Sequence, residues 1–125
     1  MTAPADHRDL LVWQKAMDLV TECYRLSNHF PRSEHFGLRL QLRRAAVSIP
    51  ANIAEGRGRT GIGEYLHHLS IAHGSLKELE THLEISRRLD YLAPEVLNEV
   101  RERVAEVGRL LGGLIRKLRS AEGKR

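Results

Sequence analysis

Cysteine is nearly absent from this sequence, since Cys23 is the only one in 125 residues. A single cysteine excludes an internal disulfide and any zinc site built from several thiolates. A lone thiol suits a protein from a reducing compartment. The chain also lacks the run of roughly 20 apolar residues that a membrane-spanning helix needs. Its N-terminal stretch contains no apolar segment of the kind found in secretory signals. These absences predict a cytoplasmic protein that does not enter a membrane.

Aromatic residues are also scarce, at 5% of the chain, and only four prolines occur. Hydrophobic residues make up 42% and charged residues 29%, a balance typical of a helix-rich protein. The length is that of one domain, so residues 1–125 are predicted to form a single unit. Twenty basic side chains outnumber sixteen acidic ones, which gives a net charge of +4 and mildly favours a polyanionic partner.

Apolar residues recur every three or four positions along four segments, as they do on the buried face of a helix. Asp6 and Ser33 are predicted N-caps, and Pro94 fits the first turn of the last helix. The tail SAEGKR, residues 120–125, is expected to fray. The four predicted helices span about residues 8–28, 34–56, 61–89 and 94–120.

Four long helices with short connections predict an all-α fold, an antiparallel up-down four-helix bundle. Apolar residues occupy more helix faces than one bundle core needs. In the third helix, for example, Ile71, Ile85 and Leu92 lie on a different face from the main apolar row. Exposed apolar rows favour self-association, so we expect a homo-oligomer. The alternative is that these rows only widen the core of a single chain.

The stretch SIPANIAEGRGR, residues 48–59, interrupts the second helical pattern. Pro50 has no backbone N–H and its ring presses on the preceding turn, so the helix is expected to curve there. Asn52 lies among apolar residues, and a buried amide needs hydrogen-bond partners. The loosened backbone near Pro50 is one place where Asn52 would find them.

Residues 56–59 alternate glycine with arginine at the end of that stretch. We hypothesise that positive φ angles at the glycines turn backbone N–H groups to one side and form an anion site. Arg57 and Arg59 would flank it. The alternative is a solvated turn in which the two arginines pair with Glu55 and Glu64.

Enzymatic sites find little support in the sequence. Glu64 and His67 have the Glu-x-x-His spacing of di-iron bundles, but no second such pair occurs. Cys23 lies in an apolar row and is expected to be a buried, inert thiol. Neither a Gly-x-Ser-x-Gly elbow nor a phosphate-binding P-loop is present. We therefore predict a protein that is not an enzyme and that has no metal or cofactor.

Three segments carry a resemblance to a known family: RDLLVWQKAMDLVTECYRLSNHFP, GLRLQLRRAAVSIPANIAEGRGR and EYLHHLSIAHGSLKELETHLEISRRLDYL. They resemble the small bacterial four-helix bundle proteins encoded in intervening sequences of 23S ribosomal RNA genes. The accessory proteins of diversity-generating retroelements are related to these. The resemblance is close over residues 8–93. It implies a four-helix bundle, a ring-shaped homopentamer and a non-enzymatic association with nucleic acid. The retroelement branch implies a reverse transcriptase and its template RNA as partners.

Basic side chains are the only candidates for binding a nucleic acid. They would contact phosphates of RNA or DNA without reading sequence, because no aromatic stacking platform accompanies them. A ring would repeat each patch and strengthen weak contacts. The alternative is a protein-binding scaffold or structural oligomer with no nucleic-acid role. The candidate residues are Arg39, Arg43 and Arg44, then Arg57 and Arg59, and finally Arg116, Lys117 and Arg119.

Overall fold

A computed structural model describes residues 6–123, and this part of the chain contains helices but no strand. The predicted all-α fold with four helices is therefore confirmed. Short 3-10 turns at His7–Asp9 and Arg32–Glu34 precede the first and second helices. The helices are α1 (Leu11–Ser27), α2 (Leu38–Arg57), α3 (Ile62–Arg88) and α4 (Pro94–Gly123).

Each helix packs against two others, so the four form a closed square in the order α1, α2, α3, α4. Neighbours run antiparallel: Ser48 of α2 contacts Ser75 of α3, and the later Asn52 approaches the earlier His68. This up-down order places the end of α2, the start of α3 and the end of α4 at one end of the bundle. We call it the 58–61 end, after the connection between α2 and α3.

The core lies along the axis of the square and is built from the predicted apolar rows. Burying each such side chain stabilises the fold by about 1.5–3 kcal/mol. Packing therefore contributes more to the stability of these helices than their intrinsic helix propensity does. All four helices contribute fully buried residues, among them Leu19, Leu42, Ile49, Ile53, Leu69, Leu79, Val100, Val107 and Leu111.

The start of α2 differs from the prediction. Ser33 is not an N-cap, because it lies inside the 3-10 turn Arg32–Glu34, and α2 begins only at Leu38. Glu34 takes the capping role instead, since its Oε1 accepts a hydrogen bond of 3.0 Å from the Leu38 N–H. That bond, together with one from Tyr91, lowers the pKa of Glu34 below its usual value.

The predicted N-cap at Asp6 is present, but it caps the 3-10 turn His7–Asp9, and α1 begins at Leu11. At the other terminus, α4 continues through residues that were expected to fray and ends at Gly123. Residues 124–125, also part of that expected tail, lie outside the described residues.

Pro50 lies buried inside α2, beside a ladder of polar side chains between α2 and α3. The Asn52 amide nitrogen donates to the Ser48 carbonyl at 2.9 Å and to the Ser48 hydroxyl at 3.0 Å. The expected bond from Asn52 to backbone near Pro50 is thus confirmed. Ser75 donates to the Ser48 hydroxyl at 2.8 Å, and His68 Nδ1 lies 3.2 Å from Asn52 Oδ1. The ladder gives these part-buried polar side chains hydrogen-bond partners within the chain.

Some of the surplus apolar residues remain outside the core of the single chain. Ile71 and Ile85 on α3 are 39% and 38% exposed, while Val47 on α2 is 41% exposed. These three side chains therefore do not widen the core of the single chain, whereas Leu92 packs against it. None of the helices within residues 6–123 combines the length and apolarity needed to cross a membrane.

Candidate nucleic-acid interface

The eight basic residues proposed from the sequence fall into two regions of the bundle. Arg57 and Arg59 meet Lys117 around one cleft at the 58–61 end. Arg39 lies eighteen residues before Arg57 on the same helix, about 27 Å away at 1.5 Å per residue. The group around Arg39, Arg43 and Arg44 is therefore separate from this end and does not join the cleft.

Arg43 is held by the chain itself. Its Nε donates to the Ser27 hydroxyl at 2.8 Å, and its Nη2 donates to Asn28 Oδ1 at 2.9 Å and to the Tyr24 carbonyl at 3.2 Å. The guanidinium also lies over the Tyr24 ring, 4.4 Å from its centroid. Burial, and next the charge of Arg39, lower the pKa of Arg43. These contacts tie the last turn of α1 to α2 and occupy most of the donors that a phosphate would use.

The two neighbours of Arg43 are freer. Arg44 is exposed and borders a shallow apolar groove with Leu40 and Val47. Arg39 is half-buried, and its Nη1 lies 3.2 Å from ring nitrogens of His35. This region therefore offers one fully exposed arginine beside apolar surface rather than a concentrated basic patch.

The cleft at the 58–61 end has a volume of about 350 Å³. Arg57, Arg59 and Lys117 line it together with Tyr65, and apolar side chains such as Leu114 form the rest of its wall. The last residue of α2 supplies Arg57, the connection to α3 supplies Arg59, and α4 supplies Lys117 from a position 58 residues later than Arg59. The sequence did not connect these groups, because only the packing of α4 between α1 and α3 brings Lys117 to this end.

The expected backbone anion nest at the glycines is absent, because no glycine within residues 6–123 has a positive φ. Gly56 is a helical residue of α2, and Gly58, which follows the helix, has φ −79°. The reason for a glycine at position 56 is space. A β carbon there would lie 2.9 Å from the His68 β carbon and 3.0 Å from the Tyr65 ring. Gly56 lets α2 and α3 approach closely just before the connection.

Ion pairs neutralise only part of the charge around the cleft. Arg59 pairs with Glu55 at 2.8 Å, which confirms one of the two expected pairs, and both partners are about half exposed. The other expected partner, Glu64, forms no ion pair with described residues. Within residues 6–123, no carboxylate oxygen lies within 4.0 Å of a charged nitrogen of Arg57 or Lys117. These two cations remain available to an external anion.

Tyr65 forms part of the cleft wall, and its phenol oxygen is buried without a hydrogen-bond partner in the described part of the chain. Burial raises the pKa of this phenol, and the nearby charge of Arg57 partly opposes the shift. The hydroxyl is therefore protonated at neutral pH and can donate a hydrogen bond. Spacing alone gave no reason to single out Tyr65, which looked like one more apolar position of α3.

A second basic groove lies alongside, between α3 and α4, with a volume of about 250 Å³. Arg116 and Arg119 line it opposite Ser70 and His73. Arg116 lies back along its own helix, with Nη1 3.3 Å from the position that a β carbon on Gly112 would take. The predicted group at positions 116–119 thus divides, since Lys117 faces the cleft and the two arginines face this groove.

Catalytic and metal-binding groups do not gather in the described residues. No group of three or more potential metal-ligating side chains occurs within residues 6–123. Cys23 is buried in the core, and burial raises the pKa of its thiol to about 12, which keeps it protonated and unreactive. The arrangement offers cations and a phenol donor at a surface cleft, which is chemistry for holding an anion.

Comparison with known proteins agrees with this fold. A family model described as "23S rRNA-intervening sequence protein" matches residues 8–113. The chain is similar to a crystal structure from Bacteroides thetaiotaomicron, described as a protein with unknown function from the S23 ribosomal protein family. That match has a TM-score of 0.78 at 24% identity and covers 84% of this chain and 98% of the other. At this identity it supports the fold alone. No curated protein matches the chain. Because the family model spans most of the sequence, the chain belongs to the 23S rRNA-intervening sequence protein family.

Proposed function

We propose that this protein is a non-enzymatic, homo-oligomeric module that binds RNA through phosphate contacts at the 58–61 end of each bundle. The observation that supports this most is the meeting of Arg57, Arg59 and Lys117 around one cleft, where Arg59 alone pairs with a carboxylate of residues 6–123. Cations left without partners by their own chain are the groups that phosphate recognition uses. The proposed location is the cytoplasm, where a lone buried thiol such as Cys23 stays reduced.

The adjacent groove extends the proposed surface. Arg116 and Arg119 are exposed beside the cleft, so a nucleic-acid strand that follows this end of the bundle meets five basic side chains from three segments. Binding of this kind tracks the sugar–phosphate backbone and has little preference for sequence. DNA phosphates would satisfy the same contacts, and the resemblance to proteins encoded within ribosomal RNA genes favours RNA.

Self-association is part of the proposal. The exposed apolar side chains of α2 and α3, including Val47, Ile71 and Ile85, are the surface that a second copy would cover. The family resemblance implies a ring of five chains. Such a ring repeats the basic end five times, and simultaneous contacts raise the apparent affinity well above that of one patch. Light scattering that gives the mass of a single chain at micromolar concentration would contradict this part.

RNA binding is tested by measuring the affinity of the purified protein for a labelled structured RNA over a series of salt concentrations. We expect log affinity to fall linearly with log salt, because bound phosphates release counterions. The variant Arg57→Ala/Arg59→Ala should bind more weakly and lower the magnitude of the slope by about one to two units. The control is Arg25→Ala/Arg32→Ala, which removes two exposed arginines at the opposite end of the bundle.

Two results would count against the proposal. If the protein binds no RNA even at low salt, the phosphate-binding function is wrong. A protein-binding scaffold, with a partner such as a reverse transcriptase, then becomes the better interpretation. If both double variants weaken binding equally, the protein attracts RNA by its overall charge and the 58–61 end has no special role.

A further inference from the structure

The cleft at the 58–61 end has features beyond its charge that fit one particular ligand group. A flat basic surface would explain weak backbone contacts, but here the cations surround a concave site that also contains a helix N-terminus and a buried phenol. These three elements come from different parts of the chain. Each of them is matched to an oxygen-rich anion.

The first element is the pair of cations without carboxylate partners. Arg57, at the end of α2, is half-buried, and Lys117 on α4 is exposed across the cleft. Because Arg59 is already bound to Glu55, it contributes less than the other two. Two positive side chains that different helices supply to one cleft can both contact a bound anion, whereas adjacent cations on one helix face would only raise the local potential.

The second element is the N-terminus of α3, a helix of 27 residues. Its N-cap is Gly61, which has no side chain to accept a hydrogen bond from the first turn, and the space beside it is open. Free N–H groups and the helix dipole attract anions at such a terminus. The chain itself brings two carboxylates near: Glu64 lies in the first turn of α3, and Glu122 Oε2 lies 3.9 Å from the position of a β carbon on Gly63. These carboxylates compete with an external anion and also mark the terminus as a favourable place for negative charge.

The third element is the Tyr65 phenol, buried in the wall with no partner in the described residues. A buried hydroxyl without a hydrogen bond is unfavourable, so its presence calls for an acceptor. Gly56 makes room for the Tyr65 ring, since a β carbon at position 56 would lie 3.0 Å from it. The close approach of α2 and α3 therefore fixes the phenol beside Arg57. The phenol oxygen is itself covered, so donation to an oxygen in the cleft requires the neighbouring side chains to move aside.

We propose that this cleft is a discrete binding site for one phosphate group, held between Arg57 and Lys117 and against the start of α3, with Tyr65 as a hydrogen-bond donor. The site is defined by the chemistry of phosphate. Its occupant in the cell rests on the proposed function, which makes the phosphate part of an RNA. The occupant is either the terminal phosphate of a strand or a phosphate within it, and a free phosphate ion would present the same oxygens.

The test uses the full chain and three probes: inorganic phosphate, an RNA with a 5′-phosphate, and the same RNA with a 5′-hydroxyl. The variants are Tyr65→Phe and Lys117→Gln. Their matched controls are Tyr91→Phe, which removes a phenol already bonded to Glu34, and Lys77→Gln on the outer face of α3. Phosphate and chloride are compared as competitors at equal ionic strength, so that screening is separated from site occupancy. Circular dichroism checks that each variant is folded.

We expect Tyr65→Phe and Lys117→Gln each to weaken the affinity for the phosphate-bearing probes roughly tenfold, as for loss of a hydrogen bond to a charged group. The controls should stay near the wild-type value. If the 5′-phosphate is the occupant, Tyr65→Phe has no effect on the 5′-hydroxyl RNA. If an internal phosphate is the occupant, Tyr65→Phe weakens both RNAs equally. Either pattern supports the site.

Other outcomes separate the site from the proposed function. Should the variants match their controls with every probe, the site does not exist, even if the protein binds RNA by other residues. Should inorganic phosphate bind, and bind more weakly to the variants, while neither RNA binds, the site stands and the RNA-binding function falls. Lys117 is exposed and its replacement leaves the core intact, so a folding defect in Tyr65→Phe would not prevent a decision.

Discussion

Gly56 gives the sharpest prediction about the fold, because two opposing effects of adding one methyl group can be weighed. In a helix, glycine is less favourable than alanine by roughly 1 kcal/mol, so Gly56→Ala gains up to that amount. The added carbon would lie 2.9 Å from the His68 β carbon, 3.0 Å from the Tyr65 ring and 3.2 Å from the Tyr65 carbonyl oxygen. A β carbon and a carbonyl oxygen cannot move unless α3 moves with them. Such overpacking costs about 1–3 kcal/mol.

The steric cost should win, since Gly56 lies near the end of α2, where helix propensity counts for less. We expect Gly56→Ala to lower the free energy of unfolding by about 1 kcal/mol, or about 4 °C in Tm for a chain of this size. Gly74→Ala is the matched control. Gly74 lies inside α3 with no heavy atom within 4 Å of its added carbon, so this change should raise Tm by about the same amount.

Thermal unfolding followed by circular dichroism at one protein concentration compares the two variants, because the stability of an oligomer depends on concentration. The reasoning is refuted if Gly56→Ala raises Tm as much as Gly74→Ala does. That result would mean that α2 and α3 separate at no cost, and that the close approach at Gly56 does not hold Tyr65 in place.

Two further predictions concern charged side chains. Arg43→Ala should lower the free energy of unfolding, measured in denaturant, by about 1–3 kcal/mol, because it removes three hydrogen bonds. The control Arg44→Ala removes an exposed side chain and should change that free energy by less than about 0.5 kcal/mol. Equal effects of the two variants would contradict the structural role of Arg43. Hydrogen bonds from Arg87, and next from Arg88, lower the pKa of Glu84 from 4.5 to about 2. Between these two pKa values, Glu84 is protonated in the unfolded chain and ionised in the folded one. The ionised carboxylate therefore stabilises the folded state above pH 4.5, and this contribution is lost as the pH falls toward 2. Glu84→Gln should accordingly unfold more easily than wild type at pH 6 and no more easily at pH 2; an equal difference at both pH values would contradict it.

The sequence predicted the helices well where one periodicity dominated. The apolar recurrence in the last segment indicated a helix of about residues 94–120, and α4 spans Pro94–Gly123. The sequence predicted the start of a helix less well where a tertiary contact determines which residue caps it. Ser33 has the right chemistry for an N-cap, yet Glu34 caps α2, because Tyr91 from beyond α3 binds the same carboxylate and fixes its position. A contact between residues 57 positions apart leaves no local signal.

The candidate site also depends on contacts between residues that are far apart in the sequence. Spacing identified Arg57 and Arg59 as one group and Lys117 as another, but only the closed square of helices makes them one cleft. The prediction for the glycines was wrong for a different reason. A Gly-Arg alternation is typical of turns with positive φ, whereas Gly56 is helical and serves the packing of α3. Local chemistry cannot distinguish a glycine needed for its backbone angles from one needed for its small size.

The bundle topology gives a physical reason why cations collect at the 58–61 end. An antiparallel square places the C-terminus of α2 there, and the negative end of its dipole favours a basic side chain such as Arg57 in the last turn. Lys117 lies before the last turn of α4 and adds its charge to the same cleft. The same end holds the N-terminus of α3, which favours anions. A cation that stabilises α2 thus lies beside amides that need an acceptor. Two carboxylates already approach that terminus, Glu64 in the first turn of α3 and Glu122 from α4. A phosphate bound here would accept hydrogen bonds from the amides and pair with Arg57. The stabilising role and the proposed binding role of Arg57 therefore agree.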